Sequence, residues 1–420
     1  MLIEHILLAL ILILALSIIA QPLSRWVHMP EASILVVLGF IVSELVIYAG
    51  FDTGLRADNF QAIIFYVFIP ILVFESAYNL DKQALKNNLV VILVLAIIAM
   101  LMTCCITAAL LFYGIGHEAG FPWLAALITG AIVAATDPVA VVAKLKEMNA
   151  PHRLSVLLEG ESLFNDATAI VLFGLFLSMA VAAQSVGAVV PLSSTADVII
   201  KFITIFIGGG LTGLAIGIFF GLLQKLIKKN IVRGAISLVV AYGSYIAAEH
   251  LMVSGVMSTL IAAISFSILS ERYHRQCASS ESTVAEIKYL WNVLAHIANV
   301  SVFLVMGAVI TIDMFEHRWL AMLIAIFALL IARAVSVYGV LSLFSLFKEL
   351  RVPLASQTVM VWGGLRGAVT LALALSLPTS LDYWWTIQSI AFGVVIFSLF
   401  VQAPTMKMLT TRLLGKESNL

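Results

Sequence analysis

The chain has 420 residues, of which 62% are apolar and only 11% charged, and its mean hydropathy is +1.11. Soluble proteins carry about 25% charged residues, so this composition excludes a water-soluble enzyme or domain array and specifies a polytopic membrane protein. The 23 basic and 23 acidic residues cancel, which leaves no basic field for nucleic acid, and Cys104, Cys105 and Cys277 form neither a CxxC pair nor a disulfide framework.

A spanning helix needs about 20 apolar residues. Thirteen runs qualify, at 2–20, 32–49, 60–80, 89–114, 122–143, 155–183, 198–227, 234–248, 253–269, 285–310, 319–347, 354–377 and 384–408. The first has no basic n-region and no small-residue cleavage site, so it is expected to be a span rather than a signal peptide. Basic residues gather on the cytoplasmic side of membrane proteins. Alternate gaps starting with the first, together with the C-terminal tail, hold seventeen, among them Arg25, Lys82, Lys86, Lys144, Lys146, Arg153 and Lys225. The opposite set holds Arg56, Lys201 and Arg318. The chain is therefore expected in the cell membrane, with its N-terminus outside and its C-terminus cytoplasmic. Trp319, Trp384 and Trp385 open spans at the outer interface. The longest polar stretch, 270–283, reads as a cytoplasmic connection.

Charges inside these spans are the informative exceptions. Glu75, Asp137, Glu161 and Asp166 lie well within them, Glu159 lies nearer an inner end, and Arg333 and Arg366 are also at depth. Left unpaired, the four acids would cost on the order of 10 kcal/mol, so they must face a wet cavity, a cation or the arginines.

The fifth span contains Ala134-Ala135-Thr136-Asp137-Pro138. Proline removes a backbone donor, and Thr136 and Asp137 suit the cap of a restarting helix. A plain proline kink with Asp137 as its cap accounts for this span equally well taken alone. The sixth reads Glu159-Gly160-Glu161-Ser162-Leu163-Phe164-Asn165-Asp166. Ser162 with Asp166, and Glu161 with Asn165, form two adjacent i,i+4 stripes. Interhelical glue usually uses Ser, Thr or Asn; paired carboxylates are a costly substitute. The twelfth reads Trp362-Gly363-Gly364-Leu365-Arg366-Gly367, where three glycines weaken the helix and admit close backbone approach.

The interrupted spans occupy matching places, fourth after the first and fourth after the eighth. The predicted architecture is therefore all-α, with thirteen transmembrane helices in a single unit. Two inverted six-helix repeats, at about 1–183 and 234–420, are linked by helix 198–227, and the broken helices 5 and 12 cross near the midplane.

The segments Ala135-Thr136-Asp137-Pro138-Val139 and Glu159 to Asp166 resemble the two signature stretches of NhaP-type sodium/proton antiporters. Phe74-Glu75, Asn79-Leu80-Asp81, Arg333 and Trp362 to Gly367 fit the same family, and the resemblance covers nearly the whole chain. It implies a homodimer with dimerisation and core subdomains interleaved in sequence. It also implies an ion held by Asp166, Asp137, Ser162, the Thr136 carbonyl and, through water, Glu75. Asn165 would support that site, and Glu161 would pair with Arg366. Asn165 ahead of Asp166 resembles the electroneutral branch, and no counterpart of the long regulatory tail of larger relatives is expected.

The expected activity is electroneutral one-for-one exchange of Na+, with Li+ as a second substrate, for H+, the cation and proton competing for Asp166. No cofactor is expected; the ions are cargo. A potassium/proton antiporter on the same fold is the alternative. An intramembrane hydrolase would need a Ser/His pair or an HExxH motif, and no HExxH occurs. A passive channel is disfavoured by Asp166 and Arg366 on a broken-helix pair. His296 reads as a packing residue, and the cluster Gly208-Gly209-Gly210 with Gly213 and Gly217 as a site of close helix approach.

Overall fold

The computed structural model describes residues 3–27, 29–48, 63–115, 121–148, 150–186, 195–227, 229–276, 281–345 and 350–414; among these there is no strand. The helices are α1 Ile3–Val27, α2 Glu31–Tyr48, α3 Ile64–Asn79 and α4 Lys82–Gly114. The fifth span is two half-helices, α5 Trp123–Ala134 and α6 Val139–Glu147. Then follow α7 His152–Val186, α8 Thr195–Leu223, α9 Asn230–His250, α10 Gly255–Gln276, α11 Glu281–Val309 and α12 Ile312–Phe344. The twelfth span is α13 Leu354–Trp362 and α14 Ala368–Leu375, and α15 Trp384–Leu414 is the last. Thirteen spans therefore stand where the apolar runs put them, with the fifth and twelfth interrupted.

Several helices outrun their apolar windows. α4 starts at Lys82 rather than 89, α10 continues to Gln276, and α11 begins at Glu281. The expected loop at 270–283 is thus helical at both ends, with 277–280 outside the described residues. Hydropathy detects only the lipid-facing core of a helix, whereas caps decide its ends. Asp81 is such a cap: its carboxylate accepts from the Gln83 and Ala84 amides, both at 3.0 Å.

The packing sorts the helices into two bundles. One contains α4 to α7 and α12 to α15; the other contains α1 to α3 and α8 to α11. Within them the contacts come in mirrored pairs: α1 on α2 with α9 on α10, α2 on α11 with α10 on α3, and α4 on α7 with α12 on α15. Each pair exchanges under one operation, α1 to α3 with α9 to α11 and α4 to α7 with α12 to α15. That is the signature of inverted repeats. Fewer contacts cross between the bundles, chiefly from α7 to α3, α8 and α10.

The glycines of α8 bring it against α10 backbone to backbone. A Cβ on Gly209 would lie 2.4 Å from the Ser254 carbonyl oxygen, and one on Gly213 would lie 2.0 Å from that of Ser258. Gly39 and Gly307 make a similar seam between α2 and α11, where the Leu304 and Val36 carbonyl oxygens would meet a Cβ at 2.3 and 2.1 Å. Both seams join helices of the same bundle.

Candidate ion site at the crossed breaks

The first break runs from Ala135 to Pro138. The chain leaves α5 in extended conformation at Ala135 and restarts as a helix at Val139. Asp137 caps that restart, since its Oδ1 accepts from the Val139 amide at 3.1 Å. Thr136 does not share this role. Its hydroxyl instead accepts from the Asn165 side-chain amide at 3.2 Å, which also donates to the Ala134 carbonyl at 3.3 Å. Asn165 on α7 thus takes up a carbonyl freed by the break and holds the Thr136 hydroxyl. Ser162, one turn earlier, donates to the Thr136 carbonyl at 2.5 Å. The predicted stripe on the sixth span therefore braces the gap in the fifth.

The second break crosses the first directly. The Asp137 amide donates to the Leu365 carbonyl at 2.8 Å. A Cβ on Gly367 would lie 2.0 Å from Asp137 Oδ2, so the carboxylate occupies the space a side chain would need. Gly367 is the residue before α14, which places Asp137 at the amide end of that half-helix; a carboxylate is favoured there. The glycines of this break serve close approach rather than a left-handed turn, because Gly363 has φ −77° and Gly367 φ −135°.

Asp166 lies one turn beyond Ser162 on α7, half-buried, within electrostatic reach of Asp137 and Arg366. Its Oδ1 is buried and has no hydrogen-bond partner among the described residues. Asp166, Asp137, Ser162 and the Thr136 carbonyl therefore converge on the crossing, two carboxylates, a hydroxyl and a freed carbonyl. Such an oxygen set suits a small dehydrated cation. Among the described residues no group of three His, Cys, Asp or Glu side chains forms a metal cage, and two carboxylates with neutral oxygens suit a monovalent passenger better than a tightly held divalent ion.

Glu75 stands apart. It lies on α3 in the other bundle, and its carboxylate accepts from the Asn79 amide at 2.6 Å and the Ser76 hydroxyl at 3.3 Å. Among the described residues no direct hydrogen bond joins it to the crossing; a water-bridged role is the one its position leaves open.

The arginines correct an expectation. Glu161, which the resemblance pairs with Arg366, forms its hydrogen-bonded ion pair with Arg333 of α12. Both partners are buried, at 1% and 3% exposure, and Arg333 also donates to the Met360 carbonyl at 3.3 Å. Arg366 turns to the carbonyls of its own break, Gly364 and Leu365, and acts on Glu161 and Asp166 through space. Glu161 and Arg333 thus tie α7 to α12, and Arg366 holds the second break open. Their sequence separation of 172 residues hides this pairing, although Arg333 is visible as a charge at depth.

Residues 9–412 match the family described as sodium/hydrogen exchanger, transmembrane. The chain is 33% identical over 412 residues to the Na+/H+ antiporter ApNhaP of Aphanothece halophytica, covering 98% of this chain and 74% of that protein. It is 30% identical to the Na+/H+ antiporter NhaH of Halobacillus dabanensis, covering 96% of each. The solved structure of the sodium proton antiporter MjNhaP1 from Methanocaldococcus jannaschii matches with a TM-score of 0.79 over 98% of this chain and 100% of that one, at 21% identity. At that identity the likeness speaks to the fold.

Proposed function

The chain belongs to the sodium/hydrogen exchanger family, and from that premise we propose that Na+ and H+ compete for Asp166 as the crossed breaks alternate between the two faces of the membrane. The protein is a multi-pass membrane antiporter rather than an enzyme, and exchange of this kind serves sodium and pH homeostasis. Na+ is the main cation and Li+ a second one.

The unpartnered buried oxygen of Asp166 supports the assignment. Asp137 is committed to the Val139 amide and to the start of α14, whereas Asp166 has no such tie. It can hold a proton or ligate a cation, each excluding the other. Asp137, Ser162 and the Thr136 carbonyl complete the cation's shell, and Glu75 receives the ion on its way in. With Asn165 occupied by Thr136 and Ala134, one exchangeable carboxylate remains, which makes the exchange one-for-one and electroneutral.

The bundle carrying both breaks moves as the core, and the other bundle is the fixed, dimer-forming frame. The apolar outer face of α8, with Ile200, Ile203, Ile207 and Leu211, suits a homodimer seam. The excess of basic residues in alternate gaps supports an N-terminus outside and a C-terminus in the cytoplasm.

The test is a pH-gradient assay in proteoliposomes with sodium, lithium and potassium chlorides. Sodium and lithium should dissipate the gradient, and a clamped voltage should leave the rate unchanged. Response to potassium alone would reassign the protein as a potassium/proton antiporter on the same fold.

A further inference from the structure

Lys146 is the penultimate residue of half-helix α6, and its Nζ donates to Glu159 Oε1 on α7 at 2.8 Å. The side chains are 63% and 29% exposed. An ion pair this open contributes little to stability and is screened by salt. Glu159 lies one turn before Ser162 on the same helix. Across the bundle boundary, α3 packs against α7, and the Glu75 carboxylate feels the charges of both Glu159 and Lys146. Glu159 thus binds the ammonium directly, and Glu75 on the opposite bundle lies within electrostatic reach of both.

A tethered ammonium is a monovalent cation held at high local concentration. It repels an arriving cation and occupies the Glu159 carboxylate that would otherwise attract one. We propose that Lys146 is a built-in competitor that sets the apparent affinity of exchange for the cytoplasmic cation without taking part in the transport step. This rests on the exchange reading above. The neighbouring Lys144 is bonded to Glu147 on its own half-helix and supplies the control.

The experiment measures Na+-driven proton release in proteoliposomes at low ionic strength, separating KM from the maximal rate. Lys146→Gln should lower the KM for Na+ by about three- to tenfold with the maximal rate little changed. Lys146→Arg should restore the wild-type KM, and Glu159→Gln should raise it by freeing the ammonium to face Glu75. Lys144→Gln should shift KM less than about twofold, and 0.5 M choline chloride (on the order of a 4 Å screening length) should erase the Lys146→Gln effect. An unchanged KM in Lys146→Gln, a fall in maximal rate in place of KM, or a shift that survives high salt would each overturn the inference. Wild-type exchange and its loss in Asp166→Asn are read in the same vesicles, so failure of the exchange reading itself is seen separately.

Discussion

The two breaks are built from opposite materials. The first, Ala135 to Pro138, is stopped by proline and offers oxygens: a carboxylate, a hydroxyl and carbonyls. The second, Gly363 to Gly367, is stopped by glycines and offers a guanidinium and the amide end of α14. Asp137 joins them by placing its carboxylate against Gly367 and its amide on Leu365. One break therefore presents oxygens while the other stabilises the charge they carry. Proline suffices where side chains must remain, and glycine is needed where a neighbour's side chain must fit.

The strongest way to break this division is Asp166→Asn. It should abolish exchange while leaving the thermal melting of the purified protein near that of the wild type. Retained exchange would mean that the α7 carboxylate beside the crossed breaks is not the exchanging group. Arg333→Ala comes next. It strands Glu161 in a buried site and should destabilise by about 3–5 kcal/mol. Arg366→Ala leaves no hydrogen-bonded acid behind and should cost less; thermal melts of the two variants in detergent decide the order. Gly367→Ala sharpens the comparison further. Its Cβ collides with Asp137, so about 1–3 kcal/mol of overpacking should appear together with reduced exchange, whereas Gly174→Ala, with nothing within 4 Å of the new Cβ, should leave exchange intact. Ser162→Ala removes the bond to the Thr136 carbonyl and should lose about 0.5–1.5 kcal/mol, read as a several-fold rise in the KM for Na+.

The smallest effect lies outside the breaks. The Ala84 amide, with His152 and the Gln83 amide, holds the Asp81 carboxyl below the usual carboxylate range. Its folded value lies below its unfolded one, so the stability it contributes is complete above about pH 4 and is lost as pH falls through the folded value. Asp81→Asn preserves a side chain able to cap, so its melting temperature should fall slightly below that of the wild type near neutrality. The two should converge as the pH falls through the folded value.

Much of this was legible from the chain alone, for physical reasons. Lipid forces a helix to declare itself as an apolar run, so the thirteen spans could be counted. Irregular backbone at depth forces Pro138 or the glycines of 363–367 into view. The residues of the crossing were legible because an acid inside a span must be hydrated, paired or bound to a cation. What stayed hidden depends on rotation about helix axes. Sequence gives the depth of Arg333 and Arg366 but not which of them faces Glu161. Nor does it say that Glu75 lies on the far bundle, bonded to Asn79. The helix ends at Lys82 and Gln276 lie beyond the apolar runs because polar capping turns carry no hydropathy signal.

The glycine seams have a mechanical consequence. Where α8 meets α10 and α2 meets α11, carbonyl oxygens sit in slots that a single methyl group would fill. Teeth set that deep cannot slip past one another without lifting out, so these helices keep their register through any cycle. Among the described residues no glycine makes such a close approach across the boundary between the bundles, where α7 meets α3, α8 and α10. No such slot locks that boundary, although the Ser33 hydroxyl of α2 donates across it to the Leu399 carbonyl of α15 at 3.0 Å. Any shift between helices is therefore easiest along that boundary.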